Sequence, residues 1–352
     1  MAFLEISNVA VKGISACVPS HIVENEAIYA KWGGYENFLH STGIARHRNS
    51  TDDQCSSDLC LEAAEKLISE LKWDKSEIDA LVFVTQTPDY NYVPATSPIL
   101  QHKLGLTQNC LTLDIALGCS GWVYAFSVLA SLMQTGTIKK GLLLAGDSPS
   151  KLCSIDDKST FPLFGDAGTV TALEYEESTK DSIKFLMHTD GSGYEAIIVE
   201  DGGMRNRVTS NSFIQNECGE GIIRSKLNVE LDGMSVFSFG ICKAPRVVKD
   251  LCENYCIDMD SIDLFTFHQA NMLMNEKIRK KLKIQEDKVP YSIHDFGNTS
   301  CASIPLTLVT QCKDRLCNEK LNHIGCGFGV GLSWGAVHFS TDNIVVPDLI
   351  EI

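Results

Sequence analysis

A chain of 352 residues, 44% apolar and 21% charged, can bury a substantial core as two domain-sized units or one duplicated unit. Its net charge of −15 argues against a general nucleic-acid surface, which needs clustered Lys and Arg. The sequence has no charge-free apolar stretch of about 18 residues, and MAFLEISNVAVKG at its start lacks a basic leading segment, so neither a membrane span nor a secretion signal is read. Fourteen cysteines in such a chain predict reduced thiols and a cytosolic setting. Cys55/Cys60, Cys252/Cys256 and Cys312/Cys317 lack the C-x-x-C spacing and matched histidines of a zinc site, so no metal is expected.

In chain order, the dense β-branched run from Ile6 to Pro19 predicts an opening strand. Residues 24–40 read as a helix that stops at Gly43. Ser56 to Leu71 is a second helix, with Leu59, Ala63, Leu67 and Leu71 on one stripe. Ile78 to Thr85 is apolar almost throughout, the pattern of a strand covered by helices on both faces. A loop over residues 87–94 and a helix over 97–104 follow. Leu111 to Ile115 suits a buried strand, Gly121 to Met133 a buried helix, Gly141 to Ala145 a strand, and the last strand of this half begins near Gly168.

Cys119 falls at the strand-to-helix junction, within Gly-Cys-Ser-Gly. A thiol there faces the open N–H groups and positive end of a helix, which favour thiolate and predict a lowered pKa. The competing reading is a small buried hydrophobe, common for a free cysteine.

The chain resembles itself. Residues 78–85 (IDALVFVT) line up with 262–269 (IDLFTFHQ), and 118–120 with 297–299, at nearly one offset. Two units repeating together predict a duplication, with halves over 1–180 and 181–352. Ligands bind at the carboxyl ends of strands in open α/β sheets, so Cys119, His268 and Asn298 are expected to converge from such ends. Together they fit one chemistry: a thiolate takes an acyl group, while neutral imidazole and a carboxamide donate to an enolate or oxyanion. The run Gly325 to Gly331 (GCGFGVG) reads as a tight turn or a close backbone approach. Its N–H groups, that of Val330 in particular, could form an oxyanion hole with that of Cys119. No helix follows it, so it is not a dinucleotide fingerprint. Arg279, Lys280 and Lys281, flanked by Lys277 and Lys283, make the one local basic patch.

The segments ALGCSGWVYAFSVL, FHQAN, FGNTSCASIP and GFGVGLSWG, in this order, closely resemble the signatures of the β-ketoacyl-[acyl-carrier-protein] synthase III family of thiolase-like condensing enzymes. The resemblance implies an α/β fold of five αβαβα layers, duplicated and thiolase-like. It implies that Cys119 is acylated, that His268 and Asn298 promote decarboxylation of a malonyl thioester, and that the product is a 3-oxoacyl thioester with carbon dioxide. It further implies acyl-carrier-protein or coenzyme A thioesters as partners, a homodimer, no bound cofactor, and a loop at 87–94 reaching the partner's acyl tunnel. By the same resemblance Val93, Lys158 and Asn271 are substrate-binding positions, and Lys280 and Lys281 dock the carrier.

Departures from the family pattern carry their own implications. Asn37 and Ser41 stand where the family's initiating members have the Trp and Arg that bind coenzyme A, which weighs against priming from it. Lys158 matches an arginine that touches the nucleotide. Val93 replaces a common Phe, implying room for a longer or bulkier acyl group. Leu273 and Ser238 stand at other docking positions. Three alternatives are a papain-like protease, which lacks an oxyanion glutamine between Asn109 and Gly118, an acyltransferase to an alcohol or amine, and a non-catalytic partner subunit.

Overall fold

A computed structural model describes residues 2–177 and 181–352; residue 180, where the first half is expected to end, lies outside them. Two mixed sheets are stacked with helices between and outside them. In the first, the order is Ile350–Glu351, Val9–Val18, Ala167–Tyr175, Lys140–Asp147, Ala80–Val84, Leu111–Ile115. In the second it is Ala2–Ile6, Ile183–Thr189, Ser333–Asp342, Lys320–Gly329, Leu264–Phe267. The four strands from Val9–Val18 to Ala80–Val84 repeat as the four from Ile183–Thr189 to Leu264–Phe267, with the same antiparallel, antiparallel, parallel sequence of pairings. The duplication read from short segments is thus a duplication of topology. Terminal strands cross over: Ala2–Ile6 pairs with Ile183–Thr189, and Ile350–Glu351 with Val9–Val18.

The layers follow from hydrophobic pattern. Helix Gly121–Met133 is apolar nearly all round and buried at Trp122, Val123, Phe126 and Leu129, as a helix between two sheets must be. Helix Ser303–Asn318 lies beside it in the central layer, touching strands of both sheets. The amphipathic Ser56–Leu71 covers the outer face of the first sheet. Its N-terminus is tied by the Asp58 carboxylate, which accepts from the Cys55 N–H at 2.9 Å. Gly233–Tyr255 and Met272–Leu282 cover the second sheet. All five residues of Ala80–Val84 are buried, as helices on both faces require. At the centre, Trp122, Phe126, Phe185 and Phe339 pack edge to face or tilted with centroids 5.3 to 5.9 Å apart, and the Trp122 Nε1–H donates to Thr171 Oγ1 at 3.1 Å.

Three expectations are corrected. The helix read over 24–40 is two, Asn25–Tyr29 and Tyr35–Thr42, separated at Gly33 and Gly34, whose φ of 73° and 80° break the right-handed run. Leu111–Ile115 is an edge strand rather than a buried one, with Leu111 and Leu113 42% and 39% exposed. Asn298 does not follow a strand: the one-turn helix Ile293–Phe296 precedes it, and the second sheet has no described counterpart of Leu111–Ile115. The glycine-rich run makes the close backbone approach expected of it, most of it as the end of a central strand, with the turn confined to residues 330–332.

Because Phe126 bridges Trp122, Phe185 and Phe339, Phe126→Ala is expected to lower the free energy of unfolding by about 3–5 kcal/mol, read as a reduced urea midpoint.

Candidate functional site

Cys119 sits in the turn joining Leu111–Ile115 to Gly121–Met133, a turn closed by the Gly121 N–H donating to the Gly118 carbonyl at 2.6 Å. Its side chain lines a cavity of about 340 Å³. Glycines of the second sheet shape its surroundings. A Cβ on Gly329 would lie 2.6 Å from Cβ and 2.8 Å from Sγ of Cys119, and one on Gly327 would lie 2.8 Å from the Ser120 Cα. Only bare backbone lets strand Lys320–Gly329 run directly against the cysteine turn.

Hydrogen bonds from the Val330 N–H, the Ser300 hydroxyl and the thiol's own backbone favour charge on Sγ. Burial outweighs them and, with the Asp147 carboxylate nearby, pushes the thiol up to about 11. This corrects the sequence expectation of a lowered pKa: removing a thiolate from water costs more than the helix end returns.

His268 follows strand Leu264–Phe267 and its N–H extends the ladder to the Cys326 carbonyl at 2.9 Å. Ser303 Oγ lies 2.8 Å from Nδ1, and Phe328 stands edge-on to the ring at 5.5 Å. Burial lowers the ring to about 3, a hydrogen bond with the Ser300 backbone opposing this only in part, so the imidazole is neutral at ordinary pH. Asn298 is clamped through its main chain: its N–H donates to Leu163 at 2.8 Å and its carbonyl accepts from Gly165 at 3.1 Å. Its Oδ1 accepts from the Ser300 N–H at 2.9 Å. Among the described residues its amide hydrogens have no partner, and they are left for a ligand.

Cys119, His268, Asn298, Asn271 and Val330 line this one cavity. Asn271 also caps helix Met272–Leu282, its Oδ1 accepting from the Met274 N–H at 2.8 Å. Lys158 lies outside the lining, its side chain and that of Trp32 flanking Gly221. Val93 is 81% exposed and away from the cavity of its own chain. Lys280 and Lys281 are exposed at the end of helix Met272–Leu282.

Sequence reasoning left residues 197–231 without elements. There, Ile197–Val199 pairs with Val229–Leu231, and this ribbon supplies Ile197, Ile198, Val229 and Leu231 to an apolar wall. Among the polar lining residues missed are Asp147 and Ser300. Asp147, buried at the end of its strand, accepts from Thr85 Oγ1 at 2.8 Å and the Gln86 N–H at 2.6 Å. Ser300 has a left-handed φ of 50°, which no sequence pattern announces. Among the described residues, no group of three His, Cys, Asp or Glu side chains could hold a metal ion, and no helix is long and apolar enough to cross a membrane.

Comparison with known proteins places this arrangement in a family context. Residues 113–191 match the family model of 3-oxoacyl-[acyl-carrier-protein] synthase III, and residues 252–341 the model of its C-terminal part. The β-ketoacyl-[acyl-carrier-protein] synthase III of Streptococcus agalactiae is 30% identical over 96% of this chain and 99% of its own. The crystal structure of a 3-oxoacyl-(acyl-carrier protein) synthase from Burkholderia xenovorans superposes with a TM-score of 0.93 at 37% identity, covering 100% of this chain and 99% of that one. OleA of Xanthomonas campestris, at 18% identity and a TM-score of 0.76 over 96% and 98% of the two chains, shares the fold.

Burial holds His47, His323 and His338 low as well as His268, at about 4, 3 and 4. Each takes up its proton near 6.5 when unfolded and much lower when folded, so the unfolded chain binds more protons between these values and stability falls as pH falls. The urea midpoint is therefore expected to drop steadily from pH 6.5 to pH 4.5.

Proposed function

The chain belongs to the β-ketoacyl-[acyl-carrier-protein] synthase III family, and on that footing we propose that it joins an acyl group carried on Cys119 to a malonyl thioester. The malonyl group is delivered on acyl-carrier protein, in fatty-acid or related specialised acyl biosynthesis. The observation that carries this reading is the meeting of a thiol, a neutral imidazole and a free carboxamide in one cavity with an apolar wall. The half over 1–180 supplies the nucleophile, and the half over 181–352 supplies the other two groups.

In the first stage the Cys119 sulfur attacks an acyl thioester, and the backbone N–H groups of Cys119 and Val330 receive the oxyanion. The incoming carbon–sulfur bond breaks and the departing thiol keeps the proton. In the second, the malonyl thioester oxygen lies against the Asn298 amide hydrogens and His268. In the tautomer this role requires, Nδ1 accepts from the Ser303 hydroxyl and the ring hydrogen sits on Nε2. Loss of carbon dioxide leaves an electron pair in an enolate that these neutral donors hold, and a neutral imidazole suits this role because it does not quench the carbanion. The carbanion attacks the acyl carbonyl, the bond to Cys119 breaks, and the sulfur regains a proton, one proton being consumed overall.

Two surface features support the partners. The apolar edge strand Leu111–Ile115 fits pairing of two copies about a twofold axis, which would cover an open sheet edge and bring each copy's Val93 toward its partner's cavity. Lys280 and Lys281, on a chain of net charge −15, form a local site for an acidic carrier, with the thiol-rich chain suited to the reducing cytosol.

Cys119→Ala is expected to abolish acylation by an acyl thioester, read by intact mass. Asn298→Ala is expected to retain acylation and to lose about 10²–10³-fold in condensation; equal loss of both steps would overturn the division of roles. Lys280→Glu with Lys281→Glu is expected to raise KM for the carrier substrate, more at low salt, with kcat unchanged.

A further inference from the structure

The two backbone donors that would receive the acyl oxyanion come from different halves of the molecule. Cys119 lies in the turn before helix Gly121–Met133, and Val330 in the turn between strands Lys320–Gly329 and Ser333–Asp342. Both residues line the cavity. The turns are in contact: a Cβ on Gly118 would lie 2.7 Å from Val330 Cγ1, and one on Gly329 would lie 2.8 Å from Cys119 Sγ. Such contacts set the shortest separation of the two turns. They do little to fix the direction in which each turn points, which hydrogen bonds do.

A buried pair of hydroxyls supplies that direction. Ser120 occupies the N-cap of Gly121–Met133, where a serine hydroxyl ordinarily accepts from the first turn of its helix, yet it makes no capping hydrogen bond. Its Oγ lies instead 2.7 Å from Ser333 Oγ, in the other half. Ser333 donates to the Val330 carbonyl at 2.9 Å. A hydroxyl has one hydrogen to give, so the hydrogen between the two serines is that of Ser120. The relay therefore runs from the residue after Cys119, through Ser333, to Val330 itself. Both serines are buried, where bulk water does not compete for these bonds and each polarises the next.

We propose that Ser120 and Ser333 are positioning residues of the acylation step, their hydroxyl relay to the Val330 carbonyl holding the Cys119 and Val330 N–H groups in register as one oxyanion hole. The inference rests on the reading of those two N–H groups as that hole. Neither hydroxyl touches the substrate, and neither gives up its hydrogen. Their contribution is geometric. Donors already in place cost no reorganisation as charge develops on the acyl oxygen, and a small misplacement of a positioned group is costly in rate. A tie between the halves matters here because each half supplies one of the two donors.

Two reactions at the same sulfur separate this role from a general loosening of the fold. Acylation by an acyl thioester places negative charge on a carbonyl oxygen, whereas alkylation by iodoacetamide displaces iodide and makes no use of the hole. In the full chain, Ser120→Ala and Ser333→Ala are each expected to slow acylation at saturating thioester about tenfold, less than removal of an oxyanion donor outright. Acylation is read by intact mass, and alkylation, read by peptide mass spectrometry at Cys119, is expected to keep the parent rate. The double variant is expected to match Ser333→Ala, because both side chains act through one tie. Acylation at the parent rate in Ser120→Ala would overturn the proposal, as would equal slowing of both reactions or fully multiplicative losses in the double variant. Should Ser333→Ala fail to fold, Ser120→Ala, which keeps the bond from Ser333 to Val330, decides alone. Val330→Pro, which lacks the N–H, is measured alongside. Acylation at the parent rate there would overturn the reading of the hole, whereas slow acylation there with unchanged acylation in the serine variants would overturn only the role of the serines.

Discussion

The site depends on two bare backbone positions. Strand Lys320–Gly329 of the second sheet passes so close to the Cys119 turn of the first that Gly327 and Gly329 leave no room for a Cβ. That approach brings the Val330 N–H within reach of the sulfur and sets the distance between the halves of the molecule at the point where they share a cavity. A methyl group at residue 329 would stand only 2.6 Å from Cβ and 2.8 Å from Sγ of Cys119.

Around this contact the protein assembles a site from neutral groups. The thiol is raised and the imidazole lowered by the same cause, loss of water, so the pair rests uncharged. Charge appears only as bonds change, and fixed dipoles meet it where it appears. Asp147 is the buried carboxylate of the cavity lining, and it is occupied in holding structure. It gathers Thr85 Oγ1 and the Gln86 N–H from one strand end of the first sheet, and the Cys301 N–H at 3.5 Å from the second half. The same carboxylate that steadies the floor of the site therefore opposes ionisation of Cys119, and the donors around Sγ must overcome it.

Much of this was legible because it is periodic. Ser56–Leu71 was legible from its stripe of Leu59, Ala63, Leu67 and Leu71, and Ala80–Val84 from an unbroken apolar run. The repeat of that strand near residue 264 revealed the duplication. His268 and Asn298 became meaningful once the repeat brought them toward Cys119. What stayed hidden depends on neighbours in space. Leu111 and Leu113 look like core, and only sheet order shows that they lie at an edge. The helix-end argument for Cys119 was sound locally, yet burial set by the opposite sheet reversed its sign. The ribbon formed by Ile197–Val199 and Val229–Leu231 joins residues some thirty positions apart, beyond any local pattern. Ser300 reads as one more residue of FGNTS, and its left-handed φ of 50° emerges only in the fold.

The exchange of outer strands ties the two halves together as a lap joint ties two planks. Ala2–Ile6 is a rung of the second sheet, and Ile350–Glu351 is a rung of the first, where Arg48 also grips Glu351 at 2.9 Å. Neither sheet is completed by the residues of its own half, so neither half as drawn from the repeat is a self-sufficient folding unit. As the ribosome delivers the chain, the earliest strand must wait for its neighbour at residues 183–189, and the last strand closes a sheet begun more than three hundred residues before. The two similar modules are thus stitched together at their outer strands.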